Sequence, residues 1–475
     1  MQTLTHWIDG EPRPATDNGW IDVHAPADGH VHARLADGDA RDVEAAVQAA
    51  DRAFPFWSSL RNSERALWLE RLAQALEQRL EEFARAESLD AGKPITLARA
   101  VEIPRAVANL RFFAHAATQF GSESHHGEAG LNYTLRLPLG AVATISPWNL
   151  PLYLFTWKIA PALAAGNTVV AKASEVTPLT ATMLAQLAAE IGLPPGVLNL
   201  VQGTGPRVGE ALVEHPRIKA VSFTGSTRVG QRIAALAAPQ FKKISLELGG
   251  KNPTLVFADS DWRVQLDVIV RSAFQNSGQI CLCGSRILIE RSAYSAFRDA
   301  FVEQARTLRL GDPSDETTTL GPLVSQAHFD KVSACIARAR EEGGRVLLGD
   351  EPAAQGGWFV APTVIEGLGP DCATNREEIF GPVVTLQPFD SEAEALHLAN
   401  AGDYGLAAMI WTRDLARAHR LAAQVNAGIV WINSWLMRDL RTPFGGAGQS
   451  GVGREGGSDA MRFFTEARNV GISTG

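Results

Sequence analysis

Cysteine is scarce in this chain: among 475 residues there are four, Cys281, Cys283, Cys335 and Cys372. That is too few for the disulfide framework of a small secreted domain, and no Cys-x-x-Cys or Cys/His spacing suggests zinc. Also missing is any uninterrupted apolar run of the ~18–20 residues that a membrane-spanning helix needs. The opening residues 1–10 lack a basic stretch followed by an apolar core, so no signal peptide is expected. No Lys/Arg-rich block occurs, and 44 basic residues against 52 acidic ones give a net charge of −8. That balance argues against a nucleic-acid partner or a polybasic membrane patch. The expectation is a cytoplasmic protein with no metal, no nucleic acid and no membrane among its partners.

What is present is an ordinary globular balance, 45% apolar and 20% charged. At roughly 100–200 residues per domain, the length suggests two or three domains. The spacing predicts a helix opened by Asp39, with Val43, Ala46, Val47 and Ala50 on one face. A longer helix is predicted from about Ser63, with Leu69, Leu72, Leu76, Leu80 and Phe83 on one face, stopping at Ala91-Gly92-Lys93-Pro94. From Gly140 the rhythm changes. Short apolar runs at 141–145, 168–171, 197–201, 220–223, 244–246 and 254–257 alternate with helical stretches at 181–191 and 209–215. Strand, turn, helix and strand again is the pattern of a parallel sheet covered on both faces. A second alternation over 261–432 makes two α/β units plausible. The segment 131–137 reads as an exposed strand and, with the tail after Phe463, is the expected place for subunit contacts.

Five segments carry candidate chemistry. In Phe274-Gln-Asn276-Ser-Gly278-Gln279-Ile-Cys281-Leu-Cys283, a cysteine sits among small and amide residues. A thiolate attacks carbonyl carbon well, and a nearby cation or helix N-terminus would lower the thiol pKa. Taken alone, a small buried hydrophobe is the commoner role for such a residue. Cys283 would point elsewhere if the stretch is extended. Glu247, in Leu246-Glu247-Leu-Gly249-Gly250-Lys251, ends an apolar strand, where a partly desolvated carboxylate could act as general base toward water, or be a solvated loop acid. In Ser146-Pro147-Trp148-Asn149-Leu150-Pro151, two prolines fix a loop whose Asn149 amide could donate to an oxyanion.

The other two suit a dinucleotide. Lys172-Ala-Ser-Glu175 follows a strand at what would be the carboxyl end of a parallel sheet, where such a pair can read a ribose. A carboxylate there accepts from a 2′-hydroxyl and repels a 2′-phosphate, favouring NAD over NADP; a surface Lys–Glu pair is the plainer alternative. Phe223-Thr-Gly225-Ser226 leads from strand through turn to helix, a diphosphate cradle of backbone N–H groups. Gly203-Thr-Gly205-Pro-Arg-Val-Gly209 is mis-spaced for a dinucleotide fingerprint and reads as a turn into a helix.

Singly these are modest signals; their order is not. Together with Glu377-Glu378-Ile-Phe380-Gly-Pro382 and Pro443-Phe-Gly-Gly…Ser450-Gly-x-Gly-Arg454-Glu, they resemble the aldehyde dehydrogenase superfamily over nearly the whole chain. The resemblance implies an α/β fold: a Rossmann-like parallel-sheet NAD-binding domain over 1–119 and 137–247, a second α/β catalytic domain over 248–446, and a small β oligomerisation extension over 120–136 and 457–475. It implies Cys281 as nucleophile, Asn149 with the Cys281 backbone N–H as oxyanion hole, and Glu247 as the base that activates the deacylating water. Trp148, Lys172, Glu175, Gly225, Ser226, Glu378 and Phe380 match cofactor-contacting positions, the cofactor being NAD. The family usually forms dimers or tetramers. One departure is Ala173, where the family commonly has proline; it loosens a turn and leaves the chemistry alone.

The segment Asn433-Ser-Trp-Leu-Met-Arg438-Asp-Leu-Arg441 is similar to the branch acting on 2-hydroxymuconic and 2-aminomuconic semialdehydes, in which an arginine of this loop is expected to hold the far carboxylate. Arg105, six residues before Arg111, corresponds to a pocket-lining position, whereas Arg111 looks structural. Two guanidinium forks would favour a carboxylate-bearing substrate. The alternatives are another aliphatic or aromatic aldehyde, or transfer of the acyl group to CoA, against which the carboxylate of Glu247 argues.

Overall fold

The computed structural model describes residues 1–349 and 356–473. Two large sheets organise it. The first has eight strands in the order Gly451–Val452, Lys243–Glu247, Ala220–Thr224, Ala141–Ile145, Thr168–Lys172, Leu198–Leu200, His6–Ile8 and Glu11–Arg13. The five from Lys243–Glu247 to Leu198–Leu200 run parallel, and the flanking ones are antiparallel. Every apolar run predicted between 141 and 246 is one of these strands, buried on both faces as a parallel sheet requires except at the half-buried Ile244. The register aligns Ile145 with Lys172 and Thr224 with Glu247, so the carboxyl ends of four strands come out on one edge. In open α/β sheets that edge is where ligands bind.

The second sheet has seven strands: Arg345–Leu348, Thr363–Glu366, Val383–Phe389, Arg286–Glu290, Pro253–Val256, Ala407–Trp411 and Ile429–Ile432. All pair in parallel except Arg345–Leu348. A third, antiparallel sheet pairs Thr465–Ser473 with Gly130–Pro138 over nine residues and adds Ser124–Gly127 at its far edge. Residues 350–355 of the expected 248–446 unit and residues 474–475 of the expected 457–475 extension lie outside the described residues.

The helix opened by Asp39 spans Ala40–Ser59, with a reciprocal cap: the Asp39 carboxylate accepts from Arg41 N–H and the Asp42 carboxylate from Asp39 N–H. The second predicted helix differs from expectation. It forms two, Asn62–Gln78 and Leu80–Ala91, broken at Arg79. No glycine or proline marks the break. Arg79 leaves helical geometry (φ −107°, ψ 21°) while its guanidinium bridges Glu82 and Glu190, so tertiary partners fix the change of direction. Gly92 ends the second helix in left-handed geometry, as the Gly-Lys-Pro signal implied. A small three-stranded sheet of Gln2–Leu4, Val31–Ala36 and Trp20–His24 was not foreseen. Helix Pro151–Ala164 is apolar almost all round and buried along nearly its whole length, packing Trp157 against Phe113 at 5.5 Å between ring centroids. Its rigidity fixes the loop that precedes it.

Candidate active site

The loop 146–150 leaves the strand Ala141–Ile145 at the sheet edge and enters helix Pro151–Ala164 at its first residue. Ser146 N–H donates to the Lys172 carbonyl (3.0 Å), and Thr177 Oγ1 donates to the Trp148 carbonyl (3.3 Å), tying the loop to the neighbouring strand. Asn149 is buried, and its side-chain amide donates to the Gln279 carbonyl at 2.9 Å. One amide hydrogen is thereby used, leaving its geminal partner for another acceptor.

Cys281 follows helix Trp262–Phe274 through a tight turn, not an extended stretch. Asn276 and Ser277 both adopt φ +54°, and Gly278 φ +71°. A Cβ on Gly278 would lie 2.0 Å from the Gly381 carbonyl oxygen, so only glycine lets the two loops close on each other. Asn252 Nδ2 donates to the Cys281 carbonyl (2.7 Å) and the Cys283 carbonyl (2.9 Å), and Trp435 Nε1 to the Leu282 carbonyl (3.0 Å). Three hydrogen bonds from two side chains thus hold the backbone around the sulfur. Both thiols are free; Cys281 is half-buried and Cys283 belongs to the apolar core.

A crevice of about 240 Å³ brings together Trp148, Asn149, Gly225, Ser226, Cys281, Glu378 and Phe380 from the expected set, and adds His328 and Lys331. Ser226 caps helix Thr227–Ala237, accepting from Val229 N–H at 3.4 Å. Glu378 accepts from Gly250 N–H at 2.9 Å, and a Cβ on Gly249 would fall 2.3 Å from its other oxygen. Phe380 holds φ +63°, with its ring edge-on to Trp148 at 5.2 Å. His328 packs tilted against Trp148, 5.0 Å between ring centroids, and its Nε2–H donates to the Phe380 carbonyl at 2.7 Å. Burial pushes the His328 imidazolium down to about 4, so the ring is neutral at pH 7.

Five expected residues lie off that crevice wall. At the next strand end, Lys172 Nζ pairs with one Glu175 oxygen (2.9 Å) while the other accepts from Gly205 N–H (3.4 Å). Glu247 is buried and neither carboxylate oxygen has a hydrogen-bond partner. Burial and then Glu455 raise its pKa well above the ordinary carboxylate value, against the pull of Lys158, Arg454 and Arg438. Glu455 is itself fixed by Lys158 Nζ (2.8 Å) and Ser222 Oγ (2.9 Å). Arg438 and Arg105 complete the account. The Arg438 guanidinium lies over Phe444 (4.0 Å), Trp157 (4.6 Å) and Tyr153 (5.9 Å), its Nε unpartnered, with no carboxylate partner among the described residues. Burial raises the Tyr153 pKa, and both Arg438 and Arg105, the latter half-buried at the start of helix Ile103–Gln119, oppose that rise. By contrast Arg111 is engaged by Glu77 (2.9 and 2.6 Å), and the exposed Arg441 by Asp439.

A model described as the aldehyde dehydrogenase family matches residues 13–470. The chain belongs to the aldehyde dehydrogenase family. It is 50% identical over 480 residues to the 2-aminomuconic semialdehyde dehydrogenase of Bos taurus, covering 99% of this chain and 98% of that protein. To the 2-hydroxymuconic semialdehyde dehydrogenase of Pseudomonas sp. (strain CF600) it is 45% identical, covering 99% of each. An aldehyde dehydrogenase from Bacillus cereus solved as its NAD⁺ complex superposes with a TM-score of 0.98 at 38% identity, covering 100% of this chain and 97% of that one. The α/β fold expected from the sequence is therefore the fold observed, and the chain is an oxidoreductase of the aldehyde dehydrogenase type.

In this aldehyde dehydrogenase one expectation needs correcting. The Cys281 thiol pKa is raised, not lowered: burial dominates, and the carboxylates of Glu378 and Glu247 oppose a second negative charge, with Arg438 a small offset. His328, Lys331, Tyr153 and Glu455 were not singled out in the sequence. Only Glu455, within the quoted Gly-x-Gly-Arg-Glu motif, carried a signal; His328 and Lys331 meet the site from the distant helix Gln326–Glu341, and Tyr153 from the first turn of the helix that follows the Asn149 loop.

Proposed function

We propose that the chain catalyses NAD-dependent oxidation of a carboxylate-bearing semialdehyde, such as 2-aminomuconic or 2-hydroxymuconic semialdehyde, to the carboxylic acid. The arrangement of Cys281 and Asn149 on one crevice with the Gly225–Ser226 turn is the observation that carries the oxidation. In the mechanism, Cys281 gives up its proton to solvent and its sulfur bonds the aldehyde carbon. The alkoxide accepts hydrogen bonds from Asn149 Nδ2 and the Cys281 N–H, a contribution of roughly 10²–10³ in rate for one donor. NAD, when bound, would supply the acceptor for the hydride that this carbon must lose. Glu247 then takes a proton from water, the water oxygen bonds the thioester carbon, and the C–S bond breaks to release acid and thiolate.

The residues suit that cofactor. Glu175 offers a carboxylate to a ribose diol beside the Gly205 N–H, Ser226 opens an 11-residue helix whose N-terminus faces the crevice, and the missing side chain at Gly249 leaves Glu378 room to turn toward a ligand. Trp148, His328 and Phe380 make an aromatic wall. For the substrate, Arg438 is a guanidinium among rings with no carboxylate partner among the described residues, and Arg105 acts electrostatically on the same Tyr153. A semialdehyde whose far end is anionic would supply the missing partner. The named relatives act on such compounds. Further parts of the reading are a homodimer or homotetramer assembled through the sheet of Gly130–Pro138 and Thr465–Ser473, and a cytoplasmic address; among the described residues no helix is long and apolar enough to cross a membrane. NADH formation without CoA, measured for muconic semialdehydes beside neutral aldehydes, tests the proposal; equal kcat/KM for both would remove the semialdehyde assignment, and a requirement for CoA would remove hydrolysis.

A further inference from the structure

Lys93 follows the glycine that ends a helix, and sequence alone makes it part of a stop signal. In the fold its side chain is fully buried. Its Nζ donates to Glu87 Oε1 (3.2 Å) and to the backbone carbonyl of Asn149 (3.2 Å), and lies 3.3 Å from Glu102 Oε2. A buried ammonium costs several kcal/mol unless paired and hydrogen-bonded, so three oxygen neighbours explain how it is tolerated. They do not explain why one of them is the peptide of the oxyanion donor.

We propose that Lys93 is a positioning residue for the oxidation, acting through Asn149. The argument rests on the reading of Asn149 as oxyanion donor. Three observations converge. First, Asn149 C=O receives two donors, Lys93 Nζ and Asn276 Nδ2 (3.1 Å), and Asn276 stands at the left-handed turn that leads to Cys281. Second, Glu87 reaches past Lys93 to Leu152 N–H (3.5 Å), while its other oxygen accepts from Thr180 Oγ1 (2.7 Å). Lys93 and Glu87 thus grip both ends of the 149–152 segment. Third, Glu102 stands three residues before Arg105, so the same ammonium is shared between the oxyanion loop and the helix that carries a substrate arginine. With its carbonyl fixed, the Asn149 peptide cannot rotate, and the side-chain amide stays aimed beside the sulfur.

The test is a double-mutant cycle read on the single-turnover rate of NADH formation with saturating NAD⁺ and a semialdehyde. Lys93→Met in the wild-type background should slow that step by about tenfold or more, the scale on which catalytic groups respond to small misplacement, with the Kd for NAD⁺ unchanged and partial recovery in Lys93→Arg. In an Asn149→Ala background the same substitution should have almost no further effect, because its effect travels through Asn149. An equal loss in both backgrounds overturns the proposal and makes Lys93 a general structural residue. Lys93→Met strands two buried carboxylates, so the charge-balanced Lys93→Met/Glu87→Gln is put through the same cycle; failure of both to fold likewise overturns the proposal. If Asn149→Ala alone leaves the rate intact, it is the oxyanion reading that fails.

Discussion

Replacing Arg438 tests the substrate assignment. Its guanidinium is half-buried, lies 4.0 Å above Phe444 and 4.6 Å above Trp157, and has no carboxylate partner among the described residues. If it binds the remote carboxylate, the lost interaction is a charge-assisted hydrogen bond in a partly desolvated place, about 1.5–3 kcal/mol. At 1.4 kcal/mol per tenfold, Arg438→Met should lower kcat/KM for a carboxylated semialdehyde by roughly 10- to 150-fold. Arg438 also pulls down the pKa values of Glu247 and Cys281, so chemistry on any aldehyde will change somewhat. The ratio of kcat/KM between the carboxylated substrate and a neutral aldehyde of similar size cancels that common effect. Met keeps most of the apolar stem over the rings, and Arg438→Lys keeps the charge without the planar fork, so Lys should recover only part of the loss. Initial rates of NADH formation at 340 nm suffice. A ratio unchanged by Arg438→Met would refute the anion-clamp reasoning.

Other outcomes are equally specific. Cys281→Ala should abolish oxidation while retaining NAD⁺ binding, measured by fluorescence quenching; measurable turnover would refute the nucleophile. Because the Glu247 pKa is raised, its base form is lost as pH falls through a value above the usual carboxylate range, and the deacylation rate should fall with it; Glu247→Gln should remove that limb. The same raised pKa means that ionised Glu247 opposes folding above the ordinary carboxylate pKa, so Glu247→Gln should raise Tm at pH 8, which thermal denaturation checks. Glu175→Gln should weaken NAD⁺ binding by roughly 2- to 12-fold, one neutral hydrogen bond's worth. It should also improve NADP⁺ use, since Lys172 then meets a 2′-phosphate without its counter-charge; steady-state kinetics with both cofactors decide it.

Some of this architecture is written locally and some is not. The parallel strands were legible because burial on both faces demands short continuous apolar runs, and Val169, Val170 and Ala171 supply one directly. The site loops were legible because they need residue types with few other reasons to be there, as at Asn149 between two prolines and Gly278 against Gly381. The break at Arg79 was not, since ion pairs to Glu82 and Glu190 impose it on a sequence with uninterrupted helical spacing. Three-residue strands such as Gln2–Leu4 are too short to express a period. His328 and Tyr153 each sit on a helix whose own pattern accounts for them; only the packing brings one to Trp148 and the other beneath Arg438. The thiol was misjudged for a related reason: the carboxylates that raise its pKa, Glu378 and Glu247, are 97 and 34 positions away in the chain.

The covalent step can be caught directly. Glu247→Gln mixed with NAD⁺ and a semialdehyde, quenched in acid and digested, should yield the peptide containing Cys281 heavier by the acyl group, with one NADH released per acylated site. An adduct on Cys283 instead, or a full equivalent of NADH with no adduct at all, would contradict the account.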